Sequence, residues 1–225
     1  SIDITVQFHL EDEIKKGKRT VTKLFNAAQF CHMHFKDEDF SNIDLENLYL
    51  EDKWILDNLN KTIVKVTKYF DLYQYSKARD QIDIFFWHYF CDNYLEFVKH
   101  RLYQDIPDKV CKTVLYKVLL SIIKMYAPIL PFITEEIYHL YFNKFENKKS
   151  IHISEWPKVI NFKLEEEEKT EFNKVIEVIK EIRKYKSENQ ISLGKEIEEF
   201  KISLEISNKY FNFIQKVSKV KNIIL

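Results

Sequence analysis

Three groups of residues have types and spacings that could do chemistry. Cys31, His32 and His34 bring a thiol and two imidazoles close together in the chain, which raises metal binding. Neighbours on a helix point about 100° apart, and convergence needs i,i+3 or i,i+4 spacing. His-x-His does not converge, and no second Cys/His pair lies nearby, so zinc is not implied and no metal site is expected. His88, Cys91 and Asp92 raise the possibility of an activated thiol. Such a nucleophile needs an oxyanion site, usually free backbone donors at a turn or helix start. In mid-helix those donors are already used, so Cys91 reads as packing and no catalytic residue is assigned.

The third group is a run of cations. Lys15 to Lys36 holds six basic residues and no acid. Lys15, Lys18, Arg19 and Lys23 fall at i, i+3, i+4 and i+8, near one face of a helix. That face could neutralise RNA phosphates, a source of affinity that does not require a net positive protein. Asn26, Gln29, Phe30 and His32 follow, and could stack on or hydrogen-bond unstacked bases. An ordinary solvated face fits the same pattern, and periodicity alone leaves both readings open. Glu165 to Glu168 reads as the acidic start of a helix, favoured by the positive end of its dipole.

The elements that must carry these residues are helical. The chain has 225 residues but only 2 Gly and 4 Pro, where about 7% Gly is usual. Gly17 and Gly194 are too far apart to build a P-loop, a Gly-x-Gly-x-x-Gly turn or a Gly-rich nucleophile elbow. Helices are expected from Leu10 to Phe35, Leu48 to Phe70, Ser76 to Tyr103 and Pro107 to about Pro128. Pro131 should restart a short one to Asn143, and another should run from Leu164 to Glu188. Residues 150–158 alternate polar and apolar and are expected to be extended. After Gly194 the period shortens to that of a strand, followed by a helix over 208–218 and a strand at Ile223–Leu225. The resulting fold is mainly α, an antiparallel helical bundle over 1–160 with a small α+β appendage over 161–225. Three cysteines with no ligand spacing suggest reduced thiols in a cytoplasmic protein, and no apolar run reaches membrane-spanning length.

Four segments carry a more specific signal. Gly17-Lys18-Arg19 followed by Lys23-Leu24-Phe25-Asn26-Ala27-Ala28-Gln29-Phe30 resembles the first helix of the anticodon-binding domain of class I aminoacyl-tRNA synthetases. Phe86 to Glu96, with Lys99, Arg101, Leu102 and Tyr103, resembles the central helix of that family's valine-specific members. Pro131-Phe132-Ile133-Thr134-Glu135-Glu136 and Ser150-Ile151-His152, with Trp156-Pro157, are similar to two further segments in the same order. Phe25 stands where the family has Trp, and Gln29 where it has a basic residue. Ile182-Arg183 and the helix around them resemble the small C-terminal region of the archaeal or eukaryotic type.

The resemblance implies recognition of a valine tRNA anticodon stem-loop. Lys18, Arg19, Lys23, Asn26, Gln29 and Phe30 would serve the loop, and Glu96, Lys99 and Arg101 a second region toward the stem. It implies a monomer and a catalytic domain upstream. ATP and Mg would belong to the full-length enzyme, with no cofactor in this chain, because the family's His-Ile-Gly-His and Lys-Met-Ser-Lys-Ser motifs are missing here. The corresponding domain of an isoleucine or leucine enzyme, or a helical scaffold that binds no RNA, are the alternatives.

Overall fold

A computed structural model describes residues 10–35, 40, 44–104 and 108–224, with side chains from residue 14 onward in the first helix. The helices α1 (Leu10–Phe35), α2 (Leu50–Asp71) and α3 (Tyr75–Ile84) come first. A π-helical segment, Phe85–Tyr94, carries α3 directly into α4 (Leu95–Leu102). Then follow α5 (Lys109–Tyr126), α6 (Pro131–Tyr141), the single turn α7 (Asn143–Glu146) and α8 (Glu166–Glu188). Strand β1 (Ile197–Lys201), α9 (Phe211–Ser218) and β2 (Val220–Ile224) end the chain. The mainly α fold with a small α+β end matches the expectation. The expected start at Pro107 lies outside the described residues. Asp108 stands just before α5, its Oδ1 accepting from the Cys111 N–H at 3.1 Å.

Two compact units form. One comprises α1, Phe40 and residues 115–157; the other comprises residues 44–104, 108–114 and 158–224. In the first unit, α1 buries Leu24, Ala27, Ala28, Cys31 and Phe35. Phe35, Phe40, Tyr116 and Phe142 meet as an aromatic cluster, with Phe40 stacked on Tyr116 at 4.8 Å. Ile14, expected on the apolar stripe, is exposed, while Val21 and Phe25 are half-buried. The buried stripe therefore lies about one position round from the expected one.

Residues 150–158 are not extended throughout. Ile151–Ile153 make a 3₁₀ turn, with the Ser150 hydroxyl accepting from the His152 N–H. Glu135 on α6 fixes this turn, its Oε2 accepting from Ser150 Oγ and from the Ile151 N–H, both at 3.0 Å. Those bonds hold the Glu135 carboxyl below its usual range despite some burial.

In the second unit, Trp54 of α2, Phe97 of α4, Phe172 of α8 and Phe213 of α9 share one aromatic cluster. Such clusters bury large apolar area and prefer tilted or edge-to-face rings. This cluster is why the C-terminal elements belong to the unit built on α2 rather than standing apart. The Asn60 amide reinforces the link, bonding the Ile160 carbonyl at 2.7 Å and the Ile160 N–H at 2.8 Å. Strands β1 and β2 pair in parallel, Ile197 opposite Val220 and Lys201 opposite Ile224, with α9 in the crossover.

Candidate functional site

The first-helix residues lie together as their spacing requires. Arg19, Lys23, Asn26 and Phe30 fall at i, i+4, i+7 and i+11, which forms one stripe along α1. Arg19 and Asn26 are exposed, and Lys23 and Phe30 are half-buried at its edge. Lys18 and Gln29 stand exposed beside it. The buried residues of α1 lie on the adjoining side, with Lys23 and Phe30 at the border, so packing fixes the helix and leaves Arg19 and Asn26 to solvent. Phe30 meets the His34 ring edge-on at 5.2 Å, an aromatic pair at the far end of the basic run. Such a face can offer cations to phosphates, and amides and a ring to bases.

The central-helix residues separate into two kinds. Glu96 and Lys99 are on the surface of α4 and bond each other, Lys99 Nζ donating at 2.7 and 2.8 Å. Arg101 is 4% exposed and is not a surface cation. Its Nη1 donates to Glu51 Oε1 at 2.9 Å and lies 2.8 Å from Asp52 Oδ2. Its Nε and Nη2 donate to Asp108 Oδ2 at 3.0 and 2.8 Å. The Tyr49 ring covers the guanidinium at 4.3 Å, and Tyr94 Oη donates to Asp52 Oδ1 at 2.6 Å. Three carboxylates thus hold the guanidinium inside the unit, buried away from any nucleic acid at the surface.

One cation among three carboxylates leaves an excess of negative charge. Burial, with Asp52 alongside, pushes the Glu51 carboxyl up to about 7. Burial also raises Asp52, against the pull of Arg101. A proton on this group relieves part of the excess.

Two other motif residues are structural fasteners. In an α-helix the carbonyls of Phe85–Tyr94 would all be paired within the ladder. In the π segment the N–H groups turn instead to carbonyls five residues back, as the Leu95 N–H does to Phe90 O. His88 O accepts from Asn93 Nδ2 at 2.7 Å, and Asp92 O accepts from Arg183 Nη1 of α8 at 2.9 Å. Arg183 Nη1 also donates to Asn93 Oδ1 at 3.1 Å. The groove alongside, about 640 Å³, has Trp54, Tyr89, Lys169, Lys180 and Arg183 in its lining, with Asp57, Asp92 and Glu177 opposing their charge. Lys186, 1% exposed, donates to the carbonyls of Lys195 and Ser218 at 2.6 and 2.7 Å, with Leu193 O at 3.2 Å. Sequence reasoning missed both Lys186 and the Glu51–Asp52–Arg101 group. The one available signal was a lysine or arginine falling on the apolar side of its helix.

The thiols and imidazoles do not assemble into a reactive site. Cys31, Cys91 and Cys111 are buried, and none is in a disulfide. Burial pushes the Cys111 thiol well up, away from the reactive thiolate. His32 stacks on Tyr141 at 4.3 Å, and His88 Nδ1 lies 3.4 Å from Asp92 Oδ2 on the surface. Among the described residues, no group of three or more His, Cys, Asp or Glu side chains could hold a metal ion. No described helix is long and apolar enough to cross a membrane.

Comparison with known proteins bears on what the α1 face is for. The family model for the anticodon-binding domain of tRNA ligase matches residues 52–202, which include Asp52 and Arg101, the π segment and the Glu135 latch. The chain belongs to this family. Similar proteins extend the match to α1. The valine–tRNA ligase of Thermoplasma volcanium is 35% identical over 223 residues, covering 95% of this chain and 27% of that protein. That of Ehrlichia canis is 37% identical over 204 residues, with 88% and 24% covered. That of Pyrococcus furiosus is 32% identical over 203 residues, with 88% and 22% covered. This anticodon-binding domain thus spans about a quarter of the length of these relatives.

Proposed function

We propose that this chain recognises the anticodon stem-loop of a valine tRNA, as a part of a valine–tRNA ligase that does no chemistry itself. The observation that carries the proposal is the exposed stripe on α1, cations at one end and an amide and aromatic at the other. It occurs in a domain of the matching family whose relatives are valine–tRNA ligases. In this reading Lys18, Arg19 and Lys23 hold phosphates, Asn26 and Gln29 meet base edges, and Phe30 stacks on an unpaired base. Glu96 and Lys99 remain candidates for a stem-side contact, and Arg101 supports the fold beneath them. ATP-dependent aminoacylation, with ATP and Mg, belongs to a longer polypeptide acting in the cytoplasm.

The test is binding of a valine tRNA transcript across a salt series. Replacing Lys18 and Lys23 with Ala should weaken binding and flatten the slope of log K against log salt, by roughly 0.7–0.9 for each phosphate no longer neutralised. Asn26→Ala should weaken binding with little change of slope, since an amide neutralises no phosphate. Binding that ignores all three substitutions would remove α1 from the interface.

A further inference from the structure

The last nineteen residues contain four lysines and no acid. Two of these lysines have partners: Lys209 with Glu171 at 2.8 Å, and Lys221 with Glu198 at 2.7 Å and Glu196 at 3.7 Å. Lys216 and Lys219 are exposed and form no ion pair among the described residues. The usual reason for lysines at the end of a helix is to offset its negative dipole end. Here that task falls to Lys186, whose buried ammonium lies on the Ser218 carbonyl at 2.7 Å. The charges of Lys216 and Lys219 are therefore surplus to the fold.

Their surroundings add positive charge. The ammonium of Lys186 also binds the Lys195 carbonyl at 2.6 Å, and the Lys219 carbonyl accepts from the Ile197 N–H at 3.0 Å. The backbones of Lys195 and Lys219 are thus neighbours, and the Lys195 side chain is exposed. From α4, the His100 ring packs edge-on against Phe213 at 6.2 Å, and Lys216 lies one turn beyond Phe213 on α9. His100 Nδ1 is buried with no hydrogen-bond partner. Burial foremost, then Lys216, Arg101 and Lys219, push the His100 imidazole down to about 4. The nearby acids Glu196 and Glu198 are taken by Lys221.

Lys219 is also an unusual residue for its backbone. It ends α9 at φ 53°, ψ 59°, the left-handed position where glycine or asparagine is favoured. Asn147 fills the same position at the end of α7. A lysine there carries a conformational cost that glycine would remove.

We propose that Lys195, Lys216 and Lys219, with His100 beside them, form a second phosphate-contacting site for the sugar–phosphate backbone of the bound tRNA. The site rests on the tRNA reading above but uses none of the α1 residues. It would hold RNA by charge, with no base preference of its own.

The experiment is salt-dependent binding of the valine tRNA transcript to the chain carrying Lys216→Ala with Lys219→Gly. Affinity should fall severalfold at low salt and the slope should flatten by roughly 1.5, two phosphates at about 0.7–0.9 each. The melting temperature should hold or rise, because glycine suits the left-handed position. Lys216→Glu, at an exposed helix position, repeats the test without altering the turn and should weaken binding further. If both variants bind as wild type does while Lys23→Ala still weakens binding, the second site is wrong and the α1 reading stands. If the wild-type chain shows no salt-dependent tRNA binding, both are wrong.

Discussion

At the scale of single residues, the domain's identity depends heavily on side chains that never reach solvent. Arg101 was legible as a basic residue in a family motif, and its charge suggested a surface role. Its burial depends on Glu51 and Asp52, some fifty residues earlier, and no local pattern announces such a pairing. Arg101→Met leaves two buried carboxylates without their cation and should destabilise the domain by about 3–5 kcal/mol in chemical denaturation. The loss should be smaller at pH 5 than at pH 8, because a protonated carboxyl is cheaper to bury. Glu51 adds a pH dependence of its own. Its folded pKa of about 7 stands above the ordinary 4.5. Between those values the unfolded chain has lost a proton that the folded chain keeps. The stability this group contributes is therefore complete below about 4.5 and falls as pH rises toward 7. Glu51→Gln keeps an acceptor for Arg101 without the charge, so urea midpoints measured at pH 5 and pH 8 should differ less than in wild type. An unchanged difference would show that Glu51 does not titrate in this range.

Among the elements, periodicity gave most helices within a few residues, because Gly and Pro are scarce and the apolar spacing is regular. α1 and α2 are nearly as expected. The π segment was not legible, since Phe85 to Tyr94 is bulky nearly all round and helical periodicity says nothing about one extra residue per turn. Its register follows from partners elsewhere: Asn93 closing on His88 O, and Arg183 reaching across from α8. Removing either should cost about 1–2 kcal/mol. Because Asn93 and Arg183 bond each other, Asn93→Ala with Arg183→Ala should cost less than the two single losses added together. A double-mutant cycle by denaturation measures that coupling, and strict additivity would separate the two residues. The parallel pairing of β1 and β2 was likewise hidden. A strand, a helix and a second strand fit a parallel crossover, but that order alone does not say that the two short strands pair. The turn at 150–154 was misread as extended because Glu135, which holds it, lies outside the alternating run.

For the whole molecule, zero net charge conceals an uneven distribution. Of the acids that follow α1 in the chain, Glu51 and Asp52 belong to the interior, where they meet Arg101. The cations of α1 remain outside, on a face that packing does not use. The candidate interface was legible to the extent that it consists of exposed side chains at helical spacing. The buried groups that support the domain were not, because their partners come together only in the fold. The measurement that bears most directly on function compares wild-type binding of a valine tRNA transcript with the same transcript carrying a different anticodon, at fixed salt. Recognition of the anticodon predicts at least a tenfold loss, the equivalent of about 1.4 kcal/mol. Equal affinity for the two transcripts would contradict the account.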